Sequence, residues 1–452
     1  MAGAAPLIPV PPGADDLPPV AAMEAEKYGD RSESGTKTVE GEVADEKALD
    51  DIYNADYPDG GTRAWLIILG ASCMTFSTFG YVNSWGVFQS YYQENILKTS
   101  SPSNIAWIGS IQYALIFVPA LVSGHAFDRG HLRVPLFIAS VTLIAATFLV
   151  AQCTKYWHFL LCQGFVSGLS AGVLYGPITA VIGHWFKYRR GLATGMTAIG
   201  SSIGGTILPI VSRNLIPFIG FAWTMRVIGF ILLCSLGCAN LLVRRRLPPK
   251  RVPGGLLNPV AFKSLPYTVY CFSGVIAFLG LYTVLTYIDV SATSVGISPD
   301  FSFYLVSIAN SASLLGRISA GLCTDRLGAI NVLAPMSSLA AILTFLWPLA
   351  KTKSSLIAVA ILYGYTSGAY VSSFLLPMYF LGDVADVGRR SGMATTLTAF
   401  GAVVGPPISG AINSATGGYQ AVGVYAGSAI LVAVVGMLWT RYLVLGRMWG
   451  KF

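Results

Sequence analysis

Residues Trp185 to Gly205 read WFKYRRGLATGMTAIGSSIGG and combine three cations with a run of small residues. Lys187, Arg189 and Arg190 are too polar for hydrocarbon, so they indicate a loop at a membrane surface. Glycines follow at positions 191, 195, 200 and 204, and residues this small let neighbouring helix backbones approach closely. The stretch therefore predicts a basic loop that enters a tightly packed membrane helix.

The same pattern returns 201 positions downstream. Gly392 to Pro406 reads GMATTLTAFGAVVGP and repeats the GLATGMTAIGSSIGG of Gly191 to Gly205, with an arginine pair before each copy. A second motif, Gly124-His-Ala-Phe-Asp128, is echoed at an offset of 197 by Gly321-Leu-Cys-Thr-Asp325, and an arginine follows each aspartate. Two motifs that repeat at nearly the same offset indicate a duplicated chain.

The composition excludes a water-soluble protein of this size. Of 452 residues, 54% are hydrophobic and 11% are charged, and the mean hydropathy is +0.62. Residues 1–58 hold thirteen acidic and four basic side chains, which leaves 25 basic and 8 acidic side chains in the remainder. These basic residues fall between apolar runs, as in membrane proteins, so we expect no nucleic-acid partner.

Twelve apolar runs are each near the length of about 20 residues that crosses a bilayer. They span residues 65–88, 104–126, 134–153, 159–182, 191–211, 223–243, 266–289, 302–322, 331–350, 355–379, 391–415 and 421–444. The sequence thus predicts an all-α membrane protein with twelve transmembrane helices in two parallel six-helix halves. An even number of spans places both termini on the same side.

Basic residues predict which side that is. The loops after even-numbered helices, with the central segment, hold fourteen Lys and Arg, whereas the opposite loops hold five. Cytosolic loops carry the excess of positive charge, so both termini are predicted to be cytosolic. The predicted organisation is a disordered acidic tail at 1–58, an N-terminal half at 59–243, a cytoplasmic linker at 244–264, a C-terminal half at 265–444 and a cytosolic C-terminus at 445–452.

Several motifs resemble known transporters. The Gly-x-x-x-Asp-Arg turn after helices 2 and 8 resembles the loop between helices 2 and 3 of the major facilitator superfamily. Pro58-Asp59-Gly60-Gly61 with Trp65, together with Trp185 to Gly195, resembles two signatures of its monocarboxylate porter family. Gly80 to Tyr92, GYVNSWGVFQSYY, is most similar to the fungal branch. The resemblance implies the major facilitator fold and alternating access around a site near mid-membrane.

Candidate site residues follow from this resemblance. Arg317 in helix 8 matches the position where porters carry an arginine that can bind a carboxylate, although an arginine that snorkels to the interface is the alternative. Animal members pair a lysine in helix 1 with an aspartate in helix 8, but this chain has Asn83 (or Ser84) and Ser313 there, so proton coupling stays open. The substrate-binding candidates are Arg317, Asn83, Asn310, Tyr175, Tyr282, Tyr370 and Ser372. The gating or latch candidates are Asp128, Arg129, Asp325, Arg326, Lys187, Arg189 and Arg190.

The predicted function is secondary active or facilitated transport of a small organic acid or related metabolite, in a multi-pass protein of the plasma membrane. The alternative is a transporter-like nutrient sensor that binds a metabolite without net transport. An enzyme is not expected, since no His-Glu-x-x-His or Gly-x-Ser-x-Gly motif and no carboxylate pair lies in a span. We expect no cofactor and no metal, and partners limited to the lipid bilayer and an anionic or polar small molecule. The oligomeric state stays open.

Overall fold

A computed structural model describes residues 57–249, 255–447 and 450–452, with only the backbone of residues 102 and 103. Within these ranges the regular secondary structure is helical and there is no strand, which confirms the predicted all-α class. The predicted acidic tail lies outside the described residues except for its last two positions. Residues 250–254 of the predicted linker also lie outside them.

The described residues form twelve long helical arms. Eleven continuous elements are long and apolar enough to cross a membrane, and one of them, Arg190–Leu242, is bent into two arms. We label the arms in chain order as α1 (Gly61–Ile96), α2 (Asn104–Asp128), α3 (Arg133–Val150), α4 (Tyr156–Trp185), α5 (190–219), α6 (221–242), α7 (Leu265–Ser294), α8 (Pro299–Leu327), α9 (Ala329–Leu349), α10 (Lys353–Tyr379), α11 (Val384–Thr416) and α12 (Tyr419–Leu445).

The connection between α5 and α6 differs from the prediction. The apolar runs predict a loop at 212–222, yet helix continues through this segment and Gly220 alone departs from helical geometry, with φ of 76° and ψ of 164°. That conformation is readily available to glycine because it has no Cβ. The segment also contains Leu215, Ile216, Phe218 and Ile219, which can extend a helix into the membrane interface.

The same helix pairings recur in both parts of the chain. In the first, α1 packs on α5, α2 on α4, and α3 on α6; in the second, α7 packs on α11, α8 on α10, and α9 on α12. The two parts meet along two seams, one between α5 and α8 and the other between α2 and α11. This repetition matches the duplication that the two echoed motifs indicate, and it positions the candidate site between the seams.

One end of the bundle carries the basic loops, and we call it the basic end. Arg129, Lys187, Arg189 and Arg326 are exposed there. The first described residue, Tyr57, lies at this end, where the ammonium group of Lys187 is 5.7 Å from its ring centre. The end at which α7 meets α8 is the opposite end.

Candidate substrate-binding site

Arg317 is buried between α8 and α5, with 8% of its surface exposed. Its Nη1 donates hydrogen bonds to the carbonyl oxygen of Ala198 at 2.7 Å and to the hydroxyl of Ser201. Its Nε has no hydrogen-bond partner among the described residues. Gly195 makes this close seam possible, because a Cβ there would overlap the carbonyl oxygen of Arg317. The charged group therefore lies inside the bundle and does not snorkel to the surface.

Two chambers meet at Arg317. The inner chamber extends toward the basic end. The outer chamber extends toward the opposite end. Phe79, Ser201, Arg317 and Val371 line both chambers. A molecule bound at the guanidinium could therefore extend in both directions along the bundle.

The two chambers differ in chemical character. The side chains of Ile178, Ile182, Leu375 and Leu376 give the inner chamber mostly apolar walls. The outer chamber is more polar, and its lining includes Asn83, Asn310, Ser313 and Ser367. Among the described residues that line the two chambers, Arg317 is the one that carries a full charge. The cavity therefore suits an amphipathic molecule with one anionic group.

Aromatic rings pack around this cavity, both within the first part of the chain and between the two parts. Phe79 of α1 lies 4.9 Å from Tyr175 of α4, between ring centres and edge to face. Tyr113 of α2 lies 5.2 Å from Tyr282 of α7, also edge to face. The three tyrosines line the same chambers as Arg317. Edge-to-face rings with free faces can stack on a flat apolar ligand.

The structure brings six of the seven predicted substrate-binding candidates together. Arg317 lines both chambers, Tyr175 and Ser372 line the inner one, and Asn83, Asn310 and Tyr282 line the outer one. Tyr370 is absent from the described linings of both chambers. Its ring packs instead on Phe278 and Phe374, at 6.0 and 5.8 Å between ring centres.

Sequence reasoning missed a larger set of lining residues, among them Phe79, Tyr113, Ser201 and Tyr379. Tyr113 lies on α2, whereas the predicted candidates lie on helices 1, 4, 7, 8 and 10. Tyr379 follows the α-helical part of α10, in a short 3-10 turn. Its sequence neighbourhood, a leucine–proline pair before it and a glycine soon after, signals a helix end but gives no indication of a cavity wall.

The two echoed aspartates cap helices across the seams. Asp128 at the end of α2 accepts a hydrogen bond from the backbone amide of Arg389 at 2.7 Å. Asp325 at the end of α8 accepts from the amides of Gly191 and Leu192, at 2.6 and 2.9 Å. Each carboxylate thus lies at the N-terminus of a helix from the other part of the chain, where the helix dipole favours negative charge.

The cations of the predicted latch are placed differently from its aspartates. Arg129, Arg326, Lys187 and Arg189 have exposed side chains at the basic end. Arg190 instead turns inward: its Nε donates to the carbonyl oxygen of Phe186 at 2.7 Å, and its guanidinium lies 4.4 Å from the ring centre of Tyr379. Of the five cations, Arg190 is therefore the one whose described contacts cross between the two parts of the chain.

The arginine pair in the first turns of α11 is buried, whereas Arg189, the first arginine of the corresponding pair at the start of α5, is exposed. Arg389 and Arg390 are 1% and 3% exposed. Nε of Arg389 lies 2.5 Å from a carboxylate oxygen of Asp386, and Nη1 of Arg390 donates to the carbonyl oxygen of Met378 at 2.9 Å. The sequence pattern predicted that both arginines are surface cations of a cytosolic loop. Their burial is possible because Asp386 and nearby carbonyl groups compensate the two positive charges.

A family model described as Major Facilitator Superfamily matches residues 66–386. The chain belongs to this superfamily. Major facilitator relatives with high similarity include the Aspyridones efflux protein apdF of Emericella nidulans, which is 36% identical over 83% of this chain and 77% of its own. The Fujikurins efflux protein of Gibberella fujikuroi is 35% identical over 85% of this chain and 84% of its own.

Solved major facilitator structures share the fold. The human organic anion transporter MFSD10 (TETRAN) superposes with a TM-score of 0.65 at 15% identity, over 83% of this chain and 98% of its own. As a member of the major facilitator superfamily, the chain is an integral, multi-pass membrane transporter with a small-molecule substrate, and it is not an enzyme. The superfamily is shown, whereas the narrower resemblance to monocarboxylate porters stays a prediction, since the reported relatives are efflux proteins.

Proposed function

We propose that this transporter exports a small organic acid from the cytosol across the plasma membrane, in the manner of a monocarboxylate porter of the fungal branch. The acid group binds Arg317, and the remainder of the molecule occupies the inner and outer chambers. Alternating access to the two ends moves the acid across.

The observation that carries this proposal is the buried charge of Arg317. A cation inside a membrane protein is costly unless an anion or several hydrogen bonds compensate it. No carboxylate lies among the described residues that line the two chambers, and Nε has no partner there. A planar guanidinium is well suited to bind a carboxylate through charge-assisted hydrogen bonds. An acidic substrate would therefore supply the missing anion.

Two further observations support the proposed direction and orientation. The relatives named above are efflux proteins, which favours export by this chain. Exposed cations cluster at the basic end, which the positive-inside tendency assigns to the cytosol. With an even number of membrane-crossing arms, both termini are then cytosolic.

Transport by purified protein in proteoliposomes tests the role of Arg317. We expect efflux of carboxylic acids to exceed efflux of the corresponding neutral amides, with and without a pH gradient. Arg317→Gln should lower transport of the acids about 30-fold or more, because a buried charge contact worth at least about 2 kcal/mol is lost.

Arg226→Gln is the matched control for Arg317→Gln. The Arg226 guanidinium lies over the ring of Trp223, at 4.6 Å from its centre, and Arg226 is absent from the described linings of both chambers. Its substitution should leave the preference for acids unchanged. Equal transport of acids by Arg317→Gln and the unsubstituted protein would rule out the proposed role.

A further inference from the structure

Tyr379 belongs to the C-terminal part of the chain, but its side chain contacts residues of the N-terminal part. It ends α10, and only 5% of its surface is exposed. Its hydroxyl donates a hydrogen bond to the carbonyl oxygen of Thr179 on α4. Its ring packs so closely on Gly183 that a Cβ there would lie 2.7 Å from Cε1 of the ring. Both contacts join the second part of the chain to the first near the basic end.

A cation covers the same ring. The guanidinium of Arg190, the first residue of α5, lies 4.4 Å from the ring centre of Tyr379. Such cation–π contacts are attractive and become stronger as the site becomes drier. Together with the hydroxyl bond to Thr179, this contact holds the ring from two sides. The side chain is therefore fixed in position although it lies at the end of a short turn.

The ring of Tyr379 is also a wall of the inner chamber. Arg317 lines the same chamber beside Ser201, while Thr194 and Tyr379 line it nearer the basic end. The distance along α5 from Ser201 to Thr194 is about 10 Å, at 1.5 Å per residue. An apolar chain attached to an acid at the guanidinium would extend along this path and end at the tyrosine ring.

We propose that Tyr379 is the floor of the inner chamber and determines the length of the apolar arm that the exported acid can carry. This inference rests on the proposed function, because it requires the acid group to be held at Arg317. The substrate class is then an amphipathic acid with its apolar arm toward the basic end and its polar groups in the outer chamber. A longer arm would have to displace the ring from Thr179 and Arg190.

Binding of linear alkanesulfonates, from butane- to dodecanesulfonate, tests this length limit on the full chain in lipid nanodiscs by calorimetry, with binding to empty nanodiscs subtracted. Affinity should rise about fourfold for each added methylene until the arm reaches Tyr379, and then stop rising. Tyr379→Ala and Tyr379→Leu should both shift this limit to longer chains. Tyr379→Phe should keep the limit, because it retains the ring.

The outcomes separate this inference from the proposed function. If sulfonates bind with a length limit that neither Tyr379→Ala nor Tyr379→Leu shifts, the inference is overturned while Arg317 can still be the anion site. If Arg317→Gln binds the whole series as tightly as the unsubstituted protein does, the proposed anion site is wrong, and the inference is overturned with it.

Discussion

At the scale of single residues, Asp59 organises the loop that precedes α5. Its Oδ1 accepts hydrogen bonds from the backbone amides of Lys187, Tyr188 and Arg189, at 2.8, 2.7 and 3.1 Å. Its own φ is +41°, a conformation that aspartate and asparagine tolerate better than most residues. One carboxylate from the segment before α1 thus fixes three successive amides of the basic loop, while Asp325 holds the next pair at Gly191 and Leu192.

The first prediction concerns this carboxylate. Asp59→Asn keeps the side-chain shape and the backbone conformation but removes the charge, so the three bonds lose charge assistance worth about 1–2 kcal/mol. Hydrogen exchange at the amides of residues 187–189 should therefore become about 5- to 30-fold faster, as mass spectrometry of the loop peptide would show.

Glu94→Gln provides the control for Asp59→Asn. Glu94 is an exposed carboxylate at the far end of α1, and removing its charge should leave exchange in the basic loop unchanged. Unchanged exchange in Asp59→Asn as well would show that the carboxylate does not hold the loop.

At the scale of helices, glycine determines how closely α1 and α5 pack. A methyl group on Gly80 would lie 2.7 Å from Cα of Gly204, closer than real contacts of a Cβ. Gly204 belongs to the glycine pattern that opens α5, so this spacing serves the contact with α1 in addition to the contact of Gly195 with α8. One helix therefore presents small residues to two neighbours on different sides.

A pair of alanine substitutions on α1 tests this packing. Gly80→Ala should lower stability by about 1–3 kcal/mol, because the added methyl group forces the two backbones apart. Gly86→Ala should leave stability unchanged or raise it by up to about 1 kcal/mol, since open space surrounds Gly86 and alanine favours helix. Thermal unfolding of both variants in detergent would measure the difference, and equal midpoints would contradict the close contact.

At the scale of the whole molecule, the two ends are closed by contacts of unequal strength. The basic end is held by the buried cap of Asp128 and the half-buried cap of Asp325 on helices of the other part. The opposite end is joined by an ion pair between Arg213 and Asp300 at 2.7 Å, in which the Asp300 side chain is 92% exposed. Exposed pairs contribute about 0–1 kcal/mol, less than charge-assisted caps. This geometry favours opening at the opposite end.

Removing the charges of both caps should therefore shift the equilibrium toward the state that is open at the basic end. Asp128→Asn combined with Asp325→Asn should favour opening at the basic end about 5- to 30-fold, because each cap loses its charge. Thr194→Cys, in the inner chamber, reports this opening through its labelling by an impermeant maleimide added at the basic end, in a protein with its seven other cysteines replaced.

Asp300→Asn serves as the comparison for the double variant. It breaks the ion pair at the opposite end and should not increase labelling of Cys at position 194 from the basic end. If the double variant labels no faster than Asp300→Asn, the two carboxylates do not keep the basic end closed.

Much of the architecture could be predicted from local patterns. Apolar runs predicted the helices because hydrocarbon requires about 20 apolar residues for each crossing. The echoed motifs at offsets of 201 and 197 predicted the duplication, which the recurring helix pairings match. The prediction failed at the α5–α6 connection, where a break at Gly220 replaces a loop, and at Arg389 and Arg390, which are buried.

By itself, the sequence determined the all-helical membrane class and the repeat, and it singled out Arg317 as a candidate, because hydropathy, repetition and a rare intramembrane cation are properties of short stretches. Only the tertiary structure decided which faces of the helices meet. Tyr113 and Tyr379 line the cavity while Tyr370 packs away from it, and Asp59 holds amides 128 or more positions away. These facts depend on how each helix is rotated and packed against segments distant in the chain, which no local pattern records.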